Sequence, residues 1–171
     1  MRLARSLFLA IFVSVSLSLA ALPLCAQYSA RSIGNVVQLK DSKHQTVISI
    51  IPSVGDVVFE MKVKGHNVLL FPYSSIEAFK ARPVLSGIPL LAPWANRLDE
   101  QAFYANGKKY NFNMSLGNVR GNIPMHGFLS HNPYWKIVEM KADGNAAWLT
   151  SRLDFYRHPD WMAQFPFAHT I

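Results

Sequence analysis

A chain of 171 residues is the size of one domain, and a hydrophobic content of 50% supplies a packed core without covalent staples. Its single cysteine, Cys25, excludes an intrachain disulfide and a thiolate zinc site. The formal net charge is +7, but Lys and Arg are scattered and adjacent only at Lys108-Lys109, so no basic run tracks a phosphate backbone and no nucleic-acid partner is expected.

Arg2 and Arg5 precede an apolar, serine-punctuated run from Leu7 to Leu22. Leu24-Cys25-Ala26 then offers a cleavage site after Ala26, although Leu24 is bulky for the −3 position. This is a signal-peptide pattern, and the apolar run is short for a membrane span. Residues 1–26 are therefore expected to be removed. Residues 27–171 are expected to form an exported protein, periplasmic or secreted, with no stable membrane insertion. An uncleaved anchor is the alternative. Cleavage takes Cys25 and two positive charges, leaving about +5.

Gln27 to Asn35 reads as a polar lead-in. Val36–Lys40 and Val47–Ile51 read as strands around an Asp41–Gln45 turn, and Pro52-Ser53-Val54-Gly55 breaks the pattern. Val57–Lys64 alternates, with Val57, Phe59, Met61 and Val63 on one face of a half-buried strand. Gly65-His66-Asn67 is a turn and Val68–Phe71 a short buried run. Ser74–Ala81 suits one or two helical turns, the only such stretch expected after the signal segment. Gly87-Ile88-Pro89-Leu90-Leu91-Ala92-Pro93-Trp94-Ala95-Asn96-Arg97 follows, an apolar run ending in an amide and a guanidinium. Arg offers five fixed donors and Asn both donors and acceptors, which suits a neutral hydroxyl-rich ligand.

Gln101–Ala105 and Lys108–Phe112 flank Asn106-Gly107, a strong hairpin signal. Met114–Pro124 is Gly- and Asn-rich and reads as an irregular loop that delivers His126. Trp135–Lys141 and Ala147–Phe155 form a second hairpin around Asp143-Gly144. Tyr156–Gln164 reads as a polar, aromatic loop. Phe165–Ile171 begins a further strand, so the chain ends inside an apolar segment and a longer protein is expected. Short strands separated by Gly, Asn and Pro turns predict an all-β sandwich or barrel.

The Gly87–Arg97 stretch with Leu98, then Phe103, Gly107 and Tyr110, His126-Gly127, Trp135, and Trp161–His169 with its Phe-Pro-Phe, together resemble the aldose 1-epimerase (galactose mutarotase) family. The resemblance runs over nearly all of residues 27–171. It implies an all-β fold, a large antiparallel β-sandwich of the galactose mutarotase type, of which this chain carries about the first half. The implied reaction interconverts the α and β anomers of an aldohexose such as glucose or galactose. No electron or group is transferred, so no cofactor is expected.

By resemblance, Asn96 and Arg97 hold sugar hydroxyls. His126 contacts the sugar and the ring-oxygen region, and is the catalytic candidate. The family's glutamate base and acid histidine lie farther along and have no equivalent here. That leaves a non-catalytic carbohydrate-binding sandwich, or an inactive remnant, as alternatives. Arg97 has a bland reading too, as a surface partner of Asp99 or Glu100. His169 reads as structural. His44, His66, His131 and His158 fall in expected loops without ligand-like spacing, so no metal is expected. Trp94, Trp135, Trp148 and Trp161 can stack on a sugar, but most are expected in the core.

Overall fold

The structure is a computed structural model, and residues 26–166 and 169–171 are described. All of the expected signal segment except Ala26 lies outside these residues, as do Phe167 and Ala168 of the expected last strand.

Five strands form one antiparallel meander: β1 (Tyr28–Ile33), β2 (Val36–Asp41), β3 (Thr46–Ile51), β4 (Val57–Val63) and the short β5 (His66–Asn67). The expected polar lead-in is instead β1, which pairs with β2 along its whole length, from Tyr28 opposite Asp41 to Ile33 opposite Val36. Its alternation is weak because half of it is exposed. The ladder with β2 supplies the backbone bonds that its side chains do not advertise.

β2, β3 and β4 follow their apolar patterns. A register shift between Ser49 and Ile50 lets Ser49, Ile50 and Ile51 all be buried, where strict alternation would turn one outward. Ile51, Val54, Val57 and Phe79 form one core cluster, with Phe59, Phe71, Tyr73 and Ile76 packed on it. Phe79 comes from α1 (Ile76–Ala81), where the Ser75 hydroxyl caps the helix by accepting from the Ala78 amide at 3.1 Å. The apolar run after β5 is not buried as expected. Val68 is 60% exposed and Leu70 76%, because this segment only skirts the outer edge of β4, where the Val68 amide donates to the Met61 carbonyl.

The Asn106-Gly107 hairpin forms as expected, β6 (Ala102–Ala105) with β7 (Lys108–Asn111), both turn residues at positive φ. The Met114–Pro124 loop is irregular apart from a two-residue hairpin, β8 (Val119–Arg120) with β9 (Ile123–Pro124). β10 (Lys136–Ala142) and β11 (Ala147–Arg152) form the second expected hairpin, and its two strands pack against β1 and β2. β11 stops at Arg152 rather than running to Phe155, because a 3-10 turn takes over at Phe155–Arg157.

The expected polar loop at Tyr156–Gln164 contains a second helix, α2 (Pro159–Gln164). Pro159 opens it, which suits the first turn, and Trp161 anchors it in the core. Beyond α2 the chain returns to the sheet, and Ile171 exchanges backbone hydrogen bonds with Leu153 at 2.8 and 3.0 Å. The fold is all-β and antiparallel, with short helices at its margins. Among the described residues no helix is long and apolar enough to cross a membrane.

Asp56 ties the meander to the β10–β11 hairpin by accepting from the Ser151 hydroxyl at 3.1 Å. Burial pushes its carboxyl pKa up, and the Ser151 bond only partly offsets this. Its contribution therefore favours the fold at low pH and is lost as pH rises through the raised pKa. Asp56 sits at φ 55°, a conformation Asn tolerates. Asp56→Asn is expected to raise the melting temperature at pH 7 by a few degrees, and the gain should vanish near pH 4. An equal gain at both values would show that the carboxylate charge is not the cause.

Candidate functional site

Two distant segments, 92–98 and 124–129, lie side by side. The Ala92 carbonyl accepts from the Phe128 amide at 3.0 Å and the Leu129 amide at 3.2 Å. The Ala92-Pro93 peptide is cis, and Trp94 turns into a second core cluster of Phe112, Phe128, Leu129, Leu153, Phe155, Trp161 and Phe165. The chain then comes back to the same partner. The His126 amide donates to the Asn96 carbonyl at 3.1 Å, Arg97 bridges to Met125, and the Leu98 amide donates to the Pro124 carbonyl at 3.1 Å.

The three residues singled out by resemblance are thereby brought together. The His126 ring is pinned as well as its backbone, because Nδ1 lies 2.9 Å from the Ala95 carbonyl. A carbonyl only accepts, so Nδ1 carries the proton and Nε2 is left with a lone pair when the ring is neutral. His126 sits at φ 61°, an uncommon conformation for a residue with a side chain, and both bonds to the Ala95–Asn96 segment hold it there.

Asn96 and Arg97 are exposed and His126 half-buried. Among the described residues the Arg97 and Asn96 side chains make no hydrogen bond or ion pair. The bland reading of Arg97 is not realised, since Glu100 is taken by the Lys109 ammonium and the Tyr104 hydroxyl, each at 3.2 Å. The cluster thus presents a guanidinium, an amide and one imidazole nitrogen to solvent. It forms an open wall, and hollows of about 190 to 370 Å³ elsewhere on the protein are lined by other residues. Among the described residues no three His, Cys, Asp or Glu side chains cluster to hold a metal.

Asn118, which the sequence left inside an irregular loop, positions this wall. Its side-chain NH2 donates to the Gly127 carbonyl at 3.1 Å and to the Ser130 hydroxyl at 3.0 Å, while its backbone carbonyl accepts from the Met125 amide at 3.0 Å. Only the general habit of Asn to bond backbone groups in loops pointed to it.

The other histidines stand apart. His44 bonds Asp41, His131 packs edge-on against Phe79, and His158 lies in a ring stack. Trp94, Trp135 and Trp161 belong to the core as expected, and Trp148 donates to Glu139 at 2.7 Å.

The antiparallel β fold is that of galactose mutarotase-like proteins. A profile of the aldose 1-epimerase family matches residues 36–170, and the chain belongs to that family. It is similar to the solved structure of a galactose mutarotase-like protein from Clostridium acetobutylicum, with 27% identity and a TM-score of 0.66 over 84% of this chain and 43% of that one. A protein from Synechocystis matches at 28% identity and a TM-score of 0.61, over 82% of this chain and 42% of that one. Galactose 1-epimerase from Lactobacillus acidophilus shares the fold at 14% identity and a TM-score of 0.55, over 74% of this chain and 37% of that one. No curated protein matches the chain. The chain spans about two-fifths of the length of the solved structures it matches.

The wall depends on Gly127. It has φ 61°, and a Cβ there would fall 1.8 Å from the Ala92 carbonyl oxygen. Gly107 has a similar φ of 71° but open space around it. Gly107→Ala is expected to cost about 1 kcal/mol, and Gly127→Ala about 3 kcal/mol or more. Chemical denaturation of the two variants checks the difference. Equal costs would show that the close approach of the two segments is not tight.

Proposed function

We propose that the chain provides the hydroxyl-holding wall of an aldose 1-epimerase site, with Asn96, Arg97 and His126 binding an aldohexose such as glucose or galactose. The observation that carries this reading is the juxtaposition of those three residues, with the Asn96 and Arg97 side chains and the His126 Nε2 unengaged by the fold, on two segments separated in sequence. Arg97 donates to sugar oxygens without needing a charged partner, Asn96 both donates and accepts, and the free Nε2 of His126 faces solvent chemistry rather than the fold.

The reaction needs two proton transfers. A base takes the proton from the anomeric hydroxyl as the bond between C1 and the ring oxygen breaks, and an acid protonates that ring oxygen. The open aldehyde turns about its C1–C2 bond, and the reverse transfers close the ring on either face. A neutral His126 can accept a proton at Nε2, and a protonated one can return it. It is the one group of the wall able both to take and to return a proton, so it serves one side of the exchange at a time. This single observation favours the second reading, a carbohydrate-binding sandwich that holds the sugar and leaves the chemistry slow.

Export belongs to the same proposal. The charged and apolar pattern of residues 1–26 supports removal of that segment, and the intact mass of the protein from its source tests it.

Polarimetry on freshly dissolved α-D-galactose separates the two functional readings. An epimerase speeds the approach to the equilibrium rotation, and a binder does not. In a complete version of the protein, one that also carries the glutamate base and acid histidine, Arg97→Ala is expected to lower kcat/KM at least tenfold, about 1.4 kcal/mol. Its melting temperature should stay unchanged, because the side chain supports nothing in the fold. Unaltered kinetics in this variant would remove Arg97 from the site. Galactose binding at the uncatalysed rate would establish the binder.

A further inference from the structure

Tyr134, His158 and Trp161 form a cluster of rings in which His158 stacks on Trp161. The Tyr134 and His158 centroids lie 4.5 Å apart, inclined by 35°, and His158 and Trp161 lie 3.8 Å apart at 26°. Tyr134 and Trp161 lie 6.1 Å apart, so the three rings form a triangle rather than a sandwich, and Tyr134 stands at its outer corner with 55% of its surface exposed. Beside the stack is a hollow of about 300 Å³. Phe128 and Trp161 lie buried at its base, the exposed Tyr134 ring gives it an aromatic wall, and Asn132, His158 and Asp160 add polar groups around it. Tyr134 and His158 also line an adjoining hollow of about 320 Å³.

The polar groups around this hollow are unused by the fold. Among the described residues the Tyr134 hydroxyl, the His158 ring nitrogens, the Asp160 carboxylate and the Asn132 side-chain NH2 make no hydrogen bond. Asn132 is nonetheless fixed in place, because its side-chain oxygen accepts from the Tyr134 amide at 2.9 Å. Burial pushes the His158 pKa down, which favours the neutral imidazole, a form that both donates and accepts. The Asp160 carboxylate disfavours an anionic ligand. An aromatic wall with a few convergent donors and acceptors is the make-up of a small-molecule pocket, and this volume is at the small end of such sites.

We infer that this hollow is a second carbohydrate-binding site, taking one neutral pyranose ring. The apolar C–H face of the sugar would lie against the exposed Tyr134 ring, and its hydroxyls would bond Asn132, His158, Asp160 and the Tyr134 hydroxyl. None of these residues belongs to the Asn96–Arg97–His126 wall, so the site stands whether or not that wall binds sugar.

Methyl β-D-galactopyranoside is a suitable probe, because its locked anomeric carbon cannot ring-open. Titrated into the labelled chain carrying Arg97→Ala, it is expected to shift the amide signals of Asn132, Tyr134 and His158 saturably. It should also change the tryptophan fluorescence through Trp161. Tyr134→Ala should abolish these shifts, and Tyr134→Phe should keep most of them because the ring remains. Asp160→Asn keeps the residue in the first turn of α2 but removes the carboxylate, and should weaken binding several-fold even if Tyr134→Ala perturbs the packing. Shifts confined to residues 95–98 and 126, or none up to about 50 mM sugar, would overturn the inference.

Discussion

The approach of Gly127 to the Ala92 carbonyl is the contact on which the proposed site depends. It lets one carbonyl accept from both the Phe128 and Leu129 amides, and it leaves no room for a side chain. With that point fixed, the next residues along each segment have little choice. Trp94 enters the core, the His126 amide meets the Asn96 carbonyl, and Arg97 and Met125 stand opposite one another. A wall for a neutral polar ligand follows from backbone geometry first and side-chain chemistry second. This order suits a ligand whose recognition depends on the direction of several weak bonds rather than on one charge.

The aromatic cluster beneath makes the arrangement rigid. Trp94 lies 4.9 Å from Phe112 and 5.9 Å from Phe165, and Phe165 in turn lies 4.8 Å from Phe103. These rings come from the 92–98 segment, the β6–β7 hairpin and the end of α2, so three separate parts of the chain brace the exposed side chains. The Gln164 side chain adds a polar tie by accepting from the Asn113 amide at 2.9 Å. Rings of this size contribute large buried area and geometrically specific contacts at small entropic cost.

Much of this was legible in the chain itself, for identifiable reasons. Asn106-Gly107 encoded its turn locally, and the alternation from Val57 to Val63 encoded a half-buried strand. β1 was hidden because its bonds come from β2 rather than from its own pattern. Val68 and Leu70 misled because apolar character predicts burial only where something lies opposite, and here the segment runs past the edge of β4. α2 carried proper opening signals in Pro159 and Asp160, but six residues are too few to show a helical period. Asn96, Arg97 and His126 could be singled out through a family resemblance. The tautomer of His126 and the bracing by Asn118 depend on contacts between distant segments, which no local pattern records.

The most direct test of the central claim is a side-chain NMR titration with D-galactose, following the Arg97 Nε–H signal and both ring nitrogens of His126. The account predicts that Arg97 Nε and His126 Nε2 shift together and saturably while Nδ1 keeps its proton against the Ala95 carbonyl. Unchanged Arg97 and Nε2 signals in the presence of excess galactose would contradict it, and so would loss of the proton from Nδ1.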